Sequence, residues 1–521
     1  MEHSLRKRYA YKLVTNMAGF AISLLSAGMV PRGLGPEMYG NFSFLTNFFG
    51  EIKGFLDMGV TIGFYNKLSQ RQTETTLIAF YFRFIAFSSL LLLGFVLFTQ
   101  LTPLPGKIWP GQEMKYVYLA AVMIILAWAG NGLDNIVDAL GLTVFSESLR
   151  VAQKVAGVAI LASLFLLNHL TLKNYFLYQY FNILLLITMF LLLVGRKRYS
   201  ILKNLSLPAG QTKKYAHEFY RFSFPLFTGS CIGLVAGIMD RWLLQRFAGS
   251  IQQGFYGLSF NVGTICFIFT SAMTPLLLRE YSIAFSQNDK NKIAILFDRY
   301  VPMLYSVAAF FSCFIFIQSD AVAYLLGGRK FEAASIPMKI MALYPVHQTY
   351  GQLSSSLLIT GEKTKLYRNI SVAMWLAGLP LTYFLIAPPD KWGLGAGAIG
   401  LAVKMVAIQI VAVNIMLYFN TKMIPISFFR YVKLQFVSLA GFFAIGFAVS
   451  YSLKFFPWTQ NNIIVNFILS GFLYTLLVLA ASFTFPWVFG LRKGDHKFIS
   501  SKLIMLLQSR NNKNEGLPIN D

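Results

Sequence analysis

Asn131, Asp134, Asn135 and Asp138 stand at i, i+3, i+4 and i+7 in GNGLDNIVDALG, within a long apolar stretch. On a helix that spacing sets two carboxylates and two amides on one face. A carboxylate held away from water favours its neutral form, so it can exchange a proton or hold Na+. Asp134 is expected to work in this way with Glu51, which shares a helical stripe with Asn47, Gly54 and Thr61. Asp138 extends the same face. An equally simple reading is that Asp134 and Asp138 only neutralise nearby Arg or Lys side chains.

The cations suggest a different chemistry. Lys339 and Lys404 lie deep in apolar runs, and Lys404 sits about ten residues into its span, too deep for comfortable reach to a headgroup. With Arg83 and Arg221 they are candidate ligands for an anion, and Asn16 and Gln348 add amide donors and acceptors. Arg83 and Arg221 stand near span ends and can instead extend to lipid headgroups. Lys53 and Asp57, at i and i+4, are expected to pair with each other. Asp240–Arg241 suits an interface or gate contact, and His347 suits packing as well as binding. Cys231, Cys266 and Cys313 fall in apolar runs without a CxxC or a His cluster, so disulfides, metal sites and bound cofactors are not expected.

The elements that must carry these residues are membrane helices. Hydrophobic residues form 56% of the 521 and charged residues 13%, about half the charged share of a soluble domain. Fourteen stretches between residues 13 and 488 reach the ~20 mostly apolar residues that a crossing needs. The net charge of +24 follows the alternation of the loops, with about 30 of the 45 basic residues on one side. That asymmetry sets both termini in the cytoplasm and points to anionic lipid headgroups rather than nucleic acid. No cleavage-site pattern follows the basic opening segment, so no removable leader is read.

A duplication is written in two segments. RGLGPEMYGNFSF from Arg32 and RFAGSIQQGFYGL from Arg246 both fit R-x-x-G-x4-G-x-[FY]-x-[FL], with Gly35 and Gly40 matching Gly249 and Gly254, 214 residues on. Each copy falls between the first and second helix of a six-helix block. Six is even, so the two blocks would share one orientation across the membrane. The expected plan is all-α: a six-helix lobe over 1–200, a second over 201–420, helices 13 and 14 over 421–490 and a basic cytoplasmic tail over 491–521.

PRGLGPEMYGNFSF, DRWLLQRFAGSIQQGFYGLSFNVG at 240–263, ITGEKTKLYRN at 359–369 and GLGAGAIGLA at 393–402 resemble polysaccharide exporters. Specifically, they look like the Wzx-type O-antigen flippases of the multidrug/oligosaccharidyl-lipid/polysaccharide superfamily. The resemblance implies alternating-access transfer of an undecaprenyl-diphosphate-linked oligosaccharide across a bacterial cytoplasmic membrane. The polymerase and chain-length regulator of the same pathway would be partners. It also gives the candidate residues their tasks. Lys404, Lys339, Arg83 and Arg221 would meet the diphosphate, and the Asn16 and Gln348 amides would meet sugar hydroxyls. Asp134, Glu51 and Asp138 would sense a coupling H+ or Na+.

Two other readings compete. The same fold can serve a cation-coupled multidrug exporter or a peptidoglycan-precursor flippase. A membrane-embedded enzyme acting on lipid-linked sugars would need a sizeable external loop with catalytic Arg or His, and the longest external connection read here is TQLTPLPGKIWPGQEMK.

Overall fold

The structure, a computed structural model, describes residues 5–71, 74–196, 209–265, 267–456 and 461–492. Side chains within these ranges are described except at some positions, among them 5–18 and 221–230. The described residues are mostly helical. The helices are α1 (Leu5–Asp57), α2 (Val60–Gln70), α3 (Thr75–Gln100), the single turn α4 (Pro105–Ile108), α5 (Met114–Ala139), α6 (Thr143–Leu166), α7 (Leu172–Arg196), α8 (Ala209–Ile265) and α9 (Phe267–Ser286). Then come α10 (Lys290–Ile317), α11 (Ser319–Gly327), α12 (Ser335–Met341), α13 (Tyr344–Thr360), α14 (Thr364–Ile386), α15 (Gly397–Thr421), α16 (Phe428–Leu453) and α17 (Ile463–Thr484).

Among the described residues nine helices are long and apolar enough to cross a membrane: α3, α5, α6, α7, α10, α14, α15, α16 and α17. The protein is thus an all-α, multi-pass membrane bundle. Local caps fix several ends. The Asp289 carboxylate accepts the Lys292 amide at 2.8 Å to open α10, and Asn462 accepts the amides of Ile464 and Val465 at 3.0 and 3.3 Å to open α17.

Helices α1 and α8 run for 53 and 57 residues, about 80 Å each at 1.5 Å per residue. An unbroken rod of that length is more than twice a bilayer's hydrocarbon core, and neither is unbroken. Gly35 takes φ 73°, ψ 171° and Gly249 takes φ 80°, ψ −179°, a region open essentially to glycine alone. The repeated motif, read in the sequence as a loop, is therefore a one-residue break inside continuous helix, made in the same way in both copies.

The second glycines of the motif also correspond. A Cβ on Gly40 would meet the Ser250 carbonyl, and a Cβ on Gly254 would meet the Pro36 carbonyl. Ser250 and Pro36 each follow the break glycine of their own copy. The two motifs thus cross in backbone contact, and each contact has its counterpart when the copies are exchanged.

Contact density divides the chain into two units. One takes the described residues of Met1–Phe260, Val322–Met338 and Ser371–Lys404; the other takes those of Asn261–Ala321, Lys339–Ile370 and Met405–Asp521. In the first, α5 packs against α3, α7 and α1, and α6 packs against α1 and α7. Its cores gather Phe64, Tyr81, Trp128 and Ile136 in one place, and Phe44, Phe49, Trp109 and Phe176 in another. In the second, α10 packs against α9, α13 and α16, and α16 packs against α17. Its core holds Tyr281, Phe297, Tyr305, Tyr350 and Tyr431. Pro345 lies in the first turn of α13, where proline costs no hydrogen bond.

Candidate functional site

Asp240 and Arg241 are neighbours on α8, so a helix turns their side chains about 100° apart and they find different partners. Asp240 meets Lys404 of α15 in an ion pair through Oδ2. Its Oδ1 lies 2.7 Å from the Thr382 hydroxyl of α14, whose hydrogen is shared with the Gly378 carbonyl at 2.9 Å. Lys404 is 7% exposed. Its long apolar stem lies among the residues that made its neighbourhood read as greasy, and its charged end is met by a carboxylate.

Arg241 is held by the second copy of the motif. Its Nη1 donates to Gln253 Oε1 at 3.1 Å, and Gln253 Nε2 donates back to the Arg241 carbonyl at 2.5 Å. The guanidinium lies 4.4 Å from the Tyr256 ring centroid and 5.7 Å from that of Phe260, within cation–π reach of both rings. Glu51 of α1 completes the group. A Cβ on Gly237, one turn before Asp240 and Arg241, would stand 2.8 Å from the Glu51 carboxyl carbon, and Glu51 is in electrostatic reach of both. Two acids and two bases are thereby gathered within one unit, the bases buried and the acids half-buried. Such a cluster is stable only while its charges balance. It can bind an anion by giving up an internal acid–base pair.

A second cluster answers for the polar face of α5. Arg150 of α6 pairs with Asp134, with Glu147 at 2.8 Å and with Asp138 at 3.9 Å. Asp138 Oδ1 is buried without a hydrogen-bond partner. Asp134, Asn135 and Asp138 are half-buried and Asn131 is exposed, so the predicted stripe turns partly outward. Glu51 belongs with α8 and Asp134 with Arg150. Arg150 was not singled out in the sequence, although it lies 16 residues from Asp134 in the segment SESLR that follows the stripe.

The expected Lys53–Asp57 pair is replaced by other contacts. Asp57 Oδ1 accepts the Thr61 amide at 3.3 Å and also the Thr61 hydroxyl, while Lys53 Nζ lies 5.5 Å from the Trp128 ring centroid. Asp57 is the last residue of α1, and the break at Met58–Gly59 frees the Thr61 amide in the first turn of α2, which its carboxylate satisfies.

The other candidates are dispersed. Lys339 is half-buried in the last turn of α12, its Nζ 5.8 Å from the Phe316 ring centroid. Gln348 is half-buried on α13, next to buried His347. Arg83 is exposed on α3. The side chains of Asn16 and Arg221, and the basic tail beyond residue 492, lie outside the described residues. Lys339 and Gln348 fall in the second compact unit, whereas Lys404, Glu51, Asp134 and Asp138 fall in the first. Among the described residues no group of three His, Cys, Asp or Glu is placed to hold a metal ion. Thr382 carries no motif that could have flagged it, while Gln253 and Tyr256 lie inside the repeat without having been singled out as site residues.

No protein-family model matches the chain, and no curated protein matches it by sequence. Solved structures do match. The lipid II flippase MurJ in its inward closed conformation superposes with a TM-score of 0.67 at 13% identity, covering 91% of this chain and 99% of that one. An inward-facing multidrug resistance MATE family transporter gives a TM-score of 0.57 at 14% identity, over 77% of this chain and 94% of that one. A transporter of the same superfamily from Pyrococcus furiosus gives 0.51 at 13% identity, over 81% and 96%. The chain therefore has the fold of the multidrug/oligosaccharidyl-lipid/polysaccharide exporters, a transporter fold.

Proposed function

We propose that the chain flips a polyprenyl-diphosphate-linked saccharide across the cytoplasmic membrane of a bacterium by alternating access, crossing that membrane fourteen times with both termini inside. The observation that carries this reading is the near full-length likeness to the lipid II flippase fold. It favours a peptidoglycan-type precursor over the O-antigen or capsule repeat unit that the sequence motifs suggested. Both cargoes join a diphosphate, a polyprenyl chain and sugars, so the anion site is the same for each.

Lys404 is the residue we assign to that diphosphate. At rest its charge is spent on Asp240, which lowers the cost of keeping an ammonium out of water. An arriving diphosphate, with more charge and more acceptor oxygens than a carboxylate, takes the lysine over. Asp240 then keeps the Thr382 hydroxyl as its partner. Arg241 stays fixed by Gln253 and Tyr256, and its charge remains beside Asp240 and Glu51 when Lys404 is drawn away.

The test is a proteoliposome assay with fluorescent lipid II and a fluorescent undecaprenyl-diphosphate trisaccharide, read by protection from a membrane-impermeant quencher. Movement of lipid II supports the proposal, and movement of the trisaccharide alone restores the O-antigen reading. If neither moves while a cationic dye is exported, the protein is a drug exporter.

A further inference from the structure

Helices α8 and α14 run side by side in the same direction. The Asp240 carboxylate and the Thr382 hydroxyl that join them are 142 residues apart in the chain, and seven residues earlier on each helix Gly233 and Trp375 make a second contact at the same offset. A Cβ on Gly233 would stand 3.1 Å from Trp375 Cη2, with Cζ3 and Cζ2 at 3.4 and 3.5 Å. The benzo edge of the indole therefore rests where glycine leaves the room. The two contacts lie about 10 Å apart along the helices.

Gly237 stands between these points on α8, and a Cβ there would lie 2.9 and 3.0 Å from the Glu51 carboxylate oxygens. Residues 233, 237 and 240 occupy a sector of about 60° on one helix. Trp375 of α14 and Glu51 of α1 thus lie over the same side of α8, about one turn apart, and the Asp240–Lys404 pair follows at the next turn. On its own helix Trp375 shares a face with buried Gly378 and Thr382, at i+3 and i+7, so it sits on the side of α14 that meets α8. It is nevertheless 36% exposed. An indole wedged against α8 still offers open apolar surface near a carboxylate.

Such a surface matches one part of the proposed cargo. The C–H groups on one side of a pyranose are weakly positive and settle on the negative face of an aromatic ring, while hydroxyls at the sugar's rim donate to a carboxylate. A polyprenyl chain would cover the ring equally well but would leave Glu51 against hydrocarbon. A cationic ligand also suits a ring near an acid, yet buried Arg241 and Lys404 stand at the next turn and oppose it. The same two cations favour the diphosphate to which a sugar is joined.

We propose that Trp375 is the saccharide platform of the translocation site: the sugar next to the diphosphate lies on the indole and donates to Glu51 while the diphosphate holds Lys404. The assignment rests on the diphosphate reading of Lys404 and adds the group that recognises the sugar. Gly233 sets the height of the platform, since a methyl there would press on the ring.

Native mass spectrometry of the parent, Trp375→Ala, Trp375→Phe and Gly233→Ala tests this, with undecaprenol, undecaprenyl diphosphate and undecaprenyl diphosphate carrying one N-acetylglucosamine as probes. The parent should retain the glycosylated lipid about fivefold better than the bare diphosphate, the size of one aromatic contact. That ratio should vanish in Trp375→Ala and fall partway in Trp375→Phe and Gly233→Ala, which keep a ring in place and give the reading should Trp375→Ala not fold. Where the parent prefers both diphosphate lipids to undecaprenol, a ratio absent from the parent, a ratio unchanged in the variants, or equal loss of both diphosphate lipids overturns the platform and leaves Lys404 its assignment. A parent that retains undecaprenol as well as either diphosphate lipid removes the Lys404 reading, and the platform falls with it.

Discussion

Gly40 packs against the carbonyl that follows Gly249, and Gly254 packs against the carbonyl that follows Gly35. The two contacts are one contact seen twice, 214 residues apart. This reciprocity gives the sequence duplication a physical meaning, because only glycine at the crossing lets the two backbones approach so closely. Gly40→Ala and Gly254→Ala should each cost about 1–3 kcal/mol by overpacking, and by similar amounts because their surroundings correspond. Gly50, with nothing within 4 Å of an added Cβ, is the control. Gly50→Ala should leave the thermal midpoint in detergent unchanged or raised. A harmless Gly40→Ala would contradict the crossing.

The Lys404–Asp240 pair makes a sharper prediction about stability. Asp240→Asn strands a buried ammonium and should destabilise by about 3–5 kcal/mol, and Lys404→Met strands a half-buried carboxylate and should destabilise by less. The double variant should recover most of that loss, since no charge is left unpaired. Denaturant titration of all four proteins checks this, and additive losses would mean that the two groups do not depend on each other.

Arg150 is predicted to matter more than the carboxylates around it. Arg150→Gln leaves Asp134, Glu147 and Asp138 facing one another, a loss of about 3 kcal/mol or more. Asp134→Asn removes one of three acids from one cation and should cost less. Asp134 is paired with Arg150, and the prediction is that Asp134→Asn retains the parent's response to pH and Na+ gradients in the flipping assay. A lost gradient response in a stable Asp134→Asn protein would return the coupling role to this residue.

How much of this was legible beforehand depends on how far apart in the chain the causes lie. Gly35, Gly40, Gly249 and Gly254 were readable because backbone geometry demands glycine locally and the demand is made twice at one spacing. The partners of Lys404 were not, because Asp240 and Thr382 come from other helices and no local pattern joins them to it. The Asp134 stripe was visible as a helical face, but which carboxylate meets which cation depends on how α5 and α6 pack. Asp57 shows the limit from the other side. Its i,i+4 spacing to Lys53 was real, yet the helix ends at Asp57, and the amide and hydroxyl of Thr61 compete successfully for the carboxylate.

Acid sensitivity should appear at Glu218, near the start of α8. The hydrogen bond from Lys67, followed by the charges of Lys67 and Arg71, lowers its carboxyl below the ordinary 4.5. A folded value below the unfolded one adds stability that is full above the unfolded value and lost as pH falls through the folded value. The thermal midpoint should therefore drop below about pH 4.5, and Lys67→Met should flatten that drop. An identical pH profile for the parent and Lys67→Met would remove Glu218 from the explanation.

The claim on which the functional account turns is that Lys404 leaves Asp240 for a diphosphate. Native mass spectrometry of the protein with undecaprenyl diphosphate, undecaprenyl monophosphate and undecaprenol measures this directly. The account predicts at least a tenfold preference for the diphosphate over the alcohol in the parent protein, and its loss in the folded double variant Lys404→Met/Asp240→Asn. Equal retention of all three lipids by the parent, or an undiminished preference in the double variant, would contradict it.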